Sequence, residues 1–155
     1  MSKVWIANGC RYALDDGYQS AILPIKAHGK ARPRVTVRGT YMPKAYTEAR
    51  QALRMLFGTV SIHMPCAMKL TVGRRMPASW SKKQHAAAVW TFCPVKPDAD
   101  NIEGWVMDAL FDDDAAVVWT ECLKVWSPRD VLRIELWEVN KDERAIDPQL
   151  MATTE

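Results

Sequence analysis

Residues 96–118 read KPDADNIEGWVMDALFDDDAAVV, and the stretch holds seven carboxylates in 23 residues: Asp98, Asp100, Glu103, Asp108, Asp112, Asp113 and Asp114. Between the acids the apolar residues recur at helical spacing, which predicts a helix over 101–110 with Asp100 or Asn101 near its cap. The Val- and Trp-rich run 115–126 predicts a strand directly after it. A tight helix-to-strand step places two acid groups at defined positions, Asp98 and Asp100 before the helix and Asp112–Asp114 after it. In extended chain, residues i and i+2 point the same way, so Asp98 and Asp100 can converge on one ion. If the strand folds back, Asp113 or Asp114 completes a cluster with them. The plainer alternative is a capped helix followed by an acidic turn.

Outward from this segment, the proline-punctuated loop 91–97 precedes it and VLRIELWEV (131–139) alternates as a last strand. Upstream, SWSKKQHAAAVW (79–90) predicts a short helix capped by Ser79 or Ser81. VSIHMPCAMKLTV (60–72) reads as a strand with Pro65 at an edge or break. PKAYTEARQALRMLF (43–57) predicts a helix with Pro43 at its start, Gly58 at its end, and Ala45, Ala49, Ala52, Leu53 and Leu56 on one face. HGKARPRVTVRG (28–39) is a loop leading into a basic extended strand, after the short apolar run AILPIK (21–26). Residues 1–20 show no clear period and read as an N-terminal extension. Residues 140–155 form a polar tail, leaving 21–139 as the principal domain. The fold class that follows is α+β, one small mixed sheet packed with two to three helices.

A chain of 155 residues fits one domain. No apolar run reaches the ~18 residues of a membrane span, and the N-terminus lacks the apolar core of a signal peptide. Cys10, Cys66, Cys93 and Cys122 are scattered without a C-x-x-C pair and read as reduced thiols of a cytoplasmic protein. His28, His63 and His85 offer no zinc-ligand spacing with them. The net charge of +3 is unevenly distributed. Residues 26–96 carry 14 Lys or Arg and one acid, Glu48, while residues 97–155 carry five Lys or Arg and 15 acids. A basic half of this density points to a polyanion partner. Clustered carboxylates without His or Cys favour Mg²⁺ or Mn²⁺. Together they suggest a cation that bridges carboxylate and phosphate, the arrangement of metal-assisted phosphodiester hydrolysis.

KPDADN, the DAL eight residues after Asp100, and an aspartate pair before a Val-rich strand with Lys124 resemble the RusA family of Holliday junction resolvases. KARPRV (30–35), GTYMPKAY (39–46) and SWSKK (79–83) resemble segments of phage and prophage members in the same order, and the resemblance covers residues 21–139. It implies a small α+β homodimer in the cytoplasm of a bacterial host. It also implies symmetric cleavage of four-way DNA junctions with Mg²⁺ or Mn²⁺. Three aspartates would form the metal site in each subunit, Asp98, Asp100 and Asp114, with Asp113 as the neighbouring alternative, and the two sites would lie close to the dimer interface.

Three departures stand out. The family carries a catalytic lysine where this chain has Gly104, a Gln where it has Ala116, and a longer connection between DAL and the aspartate pair. A glycine there marks either close approach of other atoms or relaxed constraint, and the alternative function is a branched-DNA-binding protein with weak or lost cleavage. Lys30, Arg32 and Arg34 are the expected DNA contacts, joined by Lys82 and Lys83 on the short helix. Asp108 is expected to accept a hydrogen bond or ion pair, and the tryptophans to serve the core or a dimer interface. Lys124 stands about 33 Å along a straight strand from Asp114, too far to serve it.

Overall fold

The computed structural model describes residues 2–151, so the end of the polar tail expected over 140–155 lies outside the described residues. Six strands form one mixed sheet in the order β1-β2-β3-β8-β6-β7. Its members are β1 (Lys3–Ala7), β2 (Cys10–Asp15), β3 (Tyr18–Leu23), β6 (Cys66–Arg75), β7 (Val117–Ser127) and β8 (Val131–Glu138). All neighbours are antiparallel except β6 and β7, which run parallel. A parallel pair needs a crossover, and here it contains α2 (Lys82–Ala88) and α3 (Ala99–Leu110). The remaining helix, α1 (Lys44–Phe57), follows a separate two-stranded ribbon of β4 (Arg34–Thr36) and β5 (Gly39–Tyr41).

The period-2 alternation of the central strands builds the core. Met68 pairs with Leu136, Leu70 with Ile134 and Val72 with Leu132. All six are buried, facing Leu53 of α1 and Ile102, Trp105 and Val106 of α3 in one cluster. The opposite face alternates to polar pairs, Lys69 with Glu135 and Thr71 with Arg133. A satellite cluster of Met76, Cys93 and Trp126, with Trp80 beside it, seats α2 at the far end of β6 and β7. The α+β class is that expected from the sequence.

Several details differ from the sequence reading. Residues 3–15 are two strands continuous with the main sheet, where the sequence reading had an extension without period. Asn8 and Gly9 both take positive φ, at 51° and 76°, the backbone a tight primed hairpin turn requires. Cys10 is fully buried, and the Tyr12 hydroxyl donates to the Leu56 carbonyl at 2.5 Å. The α1 face is also rotated from the expected one. Tyr46, Leu53 and Phe57 are buried, whereas Ala45 and Ala52 face out, because the larger rings fill the space over the sheet. Strand β6 begins at Cys66 rather than at Val60, just after Pro65, which has no N–H to give a ladder. The short helix spans 82–88, and Ser81, not Ser79, caps it through a reciprocal pair with Gln84. Helix α3 starts at Ala99, two residues before the expected start, with Asp98 at the cap position.

Candidate metal and nucleic-acid site

Asp98 and Asp100 stand at the start of α3, where unpaired N–H groups and the helix dipole favour negative charge. Both are exposed, and the Asp98 side chain makes no capping hydrogen bond. Among the described residues it pairs with Lys96, whose Nζ lies 3.4 Å from Oδ2. Asp112–Asp114 stand at the other end of the helix. Asp112 faces Arg54 at 3.6 Å, and Asp113 accepts from the Ala115 backbone N–H at 3.0 Å, capping a 3-10 turn over Asp114–Ala116. Asp114 is exposed and has no side-chain hydrogen bond among the described residues. The turn function thus falls to Asp113 and leaves the Asp114 carboxylate open.

One chain does not bring these two groups together. Helix α3 has 12 residues, so its ends lie about 18 Å apart at 1.5 Å per residue. Strand β7 does turn back, but it runs along the helix without returning its own start to Asp98. Its Lys124 reaches the Asp98 end instead, where Nζ donates to the Val95 carbonyl at 2.6 Å. Among the described residues no three groups of metal-ligand type gather in one place. The donors fit a hard divalent cation in kind, being carboxylate oxygens alone. In number they fall short within a single chain.

The face of α3 between the two acid groups is occupied. The Lys30 backbone N–H donates to the Asn101 carbonyl at 2.8 Å, and the Lys30 side chain then crosses the helix. A Cβ on Gly104 would sit 2.9 Å from Lys30 Cδ and 3.3 Å from Lys30 Cβ. The Lys30 ammonium ends 3.2 Å from Asp108 Oδ1, while the Tyr46 hydroxyl donates to Asp108 Oδ2 at 2.5 Å. Burial and this carboxylate push the Tyr46 hydroxyl well above the usual tyrosine range. Gly104 therefore answers a close approach by the stem of a lysine from another segment, and Asp108 holds that lysine in place. Nearby, burial and the charge of Glu103 push the Cys122 thiol up to about 11.

Beside Lys30 lies a cleft of about 710 Å³ lined by Lys30, Arg50, Arg54, Asp108 and Asp112, and a second of about 850 Å³ shares Arg54, Phe111 and Asp112 with it. Arg50 and Arg54 escaped the sequence reading, although their i, i+4 spacing on α1 puts both on one face. Of the expected DNA contacts, Lys30 is at this cleft and Arg32 and Arg34 lead into the exposed β4–β5 ribbon. Lys82 and Lys83 are exposed on the first turn of α2 and make no ion pair among the described residues.

This is an α+β protein in which Lys30, Arg50 and Arg54 line one cleft and Arg32, Arg34 and Arg38 lie on an exposed ribbon. The family described as Endodeoxyribonuclease RusA matches residues 24–136. The chain belongs to this family of DNA-cleaving hydrolases. No curated protein matches the chain. The match begins after β3, so the meander of β1–β3 stands outside it. No helix among the described residues is long and apolar enough to cross a membrane.

Proposed function

We propose that the protein is a divalent-cation-dependent endonuclease that resolves four-way DNA junctions as a homodimer, with each active site assembled from two copies of the chain. Asp98 and Asp100 of one copy and Asp114 of the other would hold the cation, Mg²⁺ or Mn²⁺. The observation that carries the reading is the pair of open carboxylate groups at opposite ends of α3, each short of a full ligand set. When bound, the cation neutralises phosphate charge and makes water a better nucleophile.

Strand β7 supports this assembly. It is the sheet edge, and among the described residues the segment 90–93 covers its end, hydrogen-bonding to Lys124 and Trp126. The stretch 117–123 remains open, with Val118 59% and Trp119 58% exposed. An open apolar edge of this kind is a template for a second strand. Antiparallel pairing of two β7 edges about an axis near Thr120 would set the start of one β7 beside the Lys124 end of the other. That end adjoins Val95 and the Asp98 loop, so Asp114 of one copy moves toward Asp98 and Asp100 of the next. Two symmetric sites then meet a junction of matching two-fold symmetry. Lys30, Arg50 and Arg54 line the cleft that takes the phosphate backbone, and Lys30 places an ammonium on the helix face where Gly104 has no side chain. Lys82 and Lys83 extend the basic surface.

The test is cleavage of a labelled four-way junction with Mg²⁺, Mn²⁺ or EDTA, for the wild type and Asp100→Asn. The wild type should nick opposing strands only with metal, and Asp100→Asn should bind the junction without cutting. Cleavage by Asp100→Asn at the wild-type rate would remove that residue from the site. Gly104 favours a second reading, a branched-DNA binder that has lost cleavage. Tight binding by the wild type with no nicks in either metal would select it.

A further inference from the structure

We propose that the β4–β5 ribbon gives the protein its preference for branched over linear DNA, and that Val37 at its tip is the residue that enters the opened base stack; this rests on the DNA-binding reading above. The ribbon stands outside the main sheet, and every residue from Arg32 to Tyr41 is exposed. Val37 is 109% exposed and Val35 81%. A two-stranded hairpin without an apolar face to cover has little stability of its own. This one is tied at both feet and at the turn. At the feet, the Lys30 N–H bonds to the Asn101 carbonyl, and Ala31 and Met42 pack on the main core. At the turn, the Thr36 hydroxyl donates to the Gly39 carbonyl at 3.0 Å and accepts from the Arg38 N–H at 3.3 Å.

Charge identifies the occupant as DNA. Residues 30–47 hold five cations (Lys30, Arg32, Arg34, Arg38 and Lys44) and no acid. Arg32, Arg34 and Arg38 make no ion pair among the described residues. Guanidiniums along the ribbon suit the phosphate backbone, which carries no branch information. A valine between them has no phosphate to bind. Apolar side chains that enter DNA do so between base steps, at a cost of a few kcal/mol per step for unstacking an intact duplex. At the centre of a four-way junction the stacks already end, so the same insertion avoids that cost. Val37 therefore gains contact on a junction that linear duplex denies it.

The experiment measures the affinity of the full-length protein for a four-way junction and for linear duplex of the same arm sequence. A second junction carries 2-aminopurine at its centre. The wild type should prefer the junction and raise 2-aminopurine fluorescence. Val37→Ser should lose about tenfold in junction affinity, the scale of one valine side chain losing its apolar contact, with duplex affinity unchanged and the fluorescence rise abolished. Arg38→Ala should weaken both DNAs alike. A wild type that prefers the junction and a Val37→Ser variant that keeps the full preference would overturn the role of the ribbon tip. A wild type with no preference for the junction would overturn the functional reading itself, and the ribbon proposal with it.

Discussion

Gly104 sits mid-helix, where glycine costs roughly 1 kcal/mol relative to alanine. The Lys30 stem occupies the position its Cβ would take. The cost of the glycine is thus linked to the placement of a cation beside Asp108. Gly104→Ala should bring no gain in stability in the wild-type background, but up to about 1 kcal/mol in a Lys30→Ala background. Urea denaturation of the four proteins gives the coupling, and strictly additive effects would show that the contact is energetically idle. The same contact means that Gly104→Lys alone displaces Lys30, so a lysine at 104 should support cleavage only when combined with Lys30→Ala. At Cys122 burial favours the neutral thiol. Ionisation of the unfolded chain therefore begins first, near pH 9, and this residue's share of the stability falls as pH rises from about 9 to about 11. Alkylation of Cys122, followed by peptide mass spectrometry, should accelerate with a midpoint near 11, and a midpoint near 9 would contradict the raised pKa of this half-buried thiol.

At the scale of the elements, the central strands and α3 were legible because their burial is one-sided and leaves a period in the residue types. The Met68, Leu70, Val72 alternation and the Ile102, Trp105, Val106, Ala109 stripe report their buried faces directly. Strands β1 and β2 were not legible by period, since every residue of KVWIA is exposed and β2, between β1 and β3, has three partly buried residues in a row, Tyr12–Leu14, without alternation. Their signal lay in the turns, Asn8–Gly9 and Asp16–Gly17, both flanked by β-type residues. The acids of the candidate site were legible as residues, but their separation follows from the helix between them. The Lys30–Gly104 contact joins positions 74 residues apart and leaves no local trace. Deleting residues 2–16 should expose the β3 edge and remove the Tyr12 bond to Leu56. The truncated protein should melt at lower temperature or aggregate, and an unchanged thermal midpoint would show that the meander adds nothing to the core.

At the scale of the whole molecule, the basic and acidic halves of the sequence meet in three ion pairs, Lys30–Asp108, Arg54–Asp112 and Lys96–Asp98, while Asp100 and Asp114 have none among the described residues. The helix α3 carries open acid groups at both ends, and the cations line the cleft and ribbon beside it. On the proposed function the two acid groups are half-sites, and the β7 edge, where Trp119 is 58% exposed, is the seam between two copies. Mixing two inactive variants, Asp100→Asn and Asp114→Asn, tests this most directly. In a mixed dimer with shared sites, one site collects both substitutions and the other is wholly wild type. Each variant alone should bind the four-way junction without cutting it, and the mixture should recover metal-dependent nicking. No recovery, with mixed dimers demonstrated by differential tagging, would contradict the shared site.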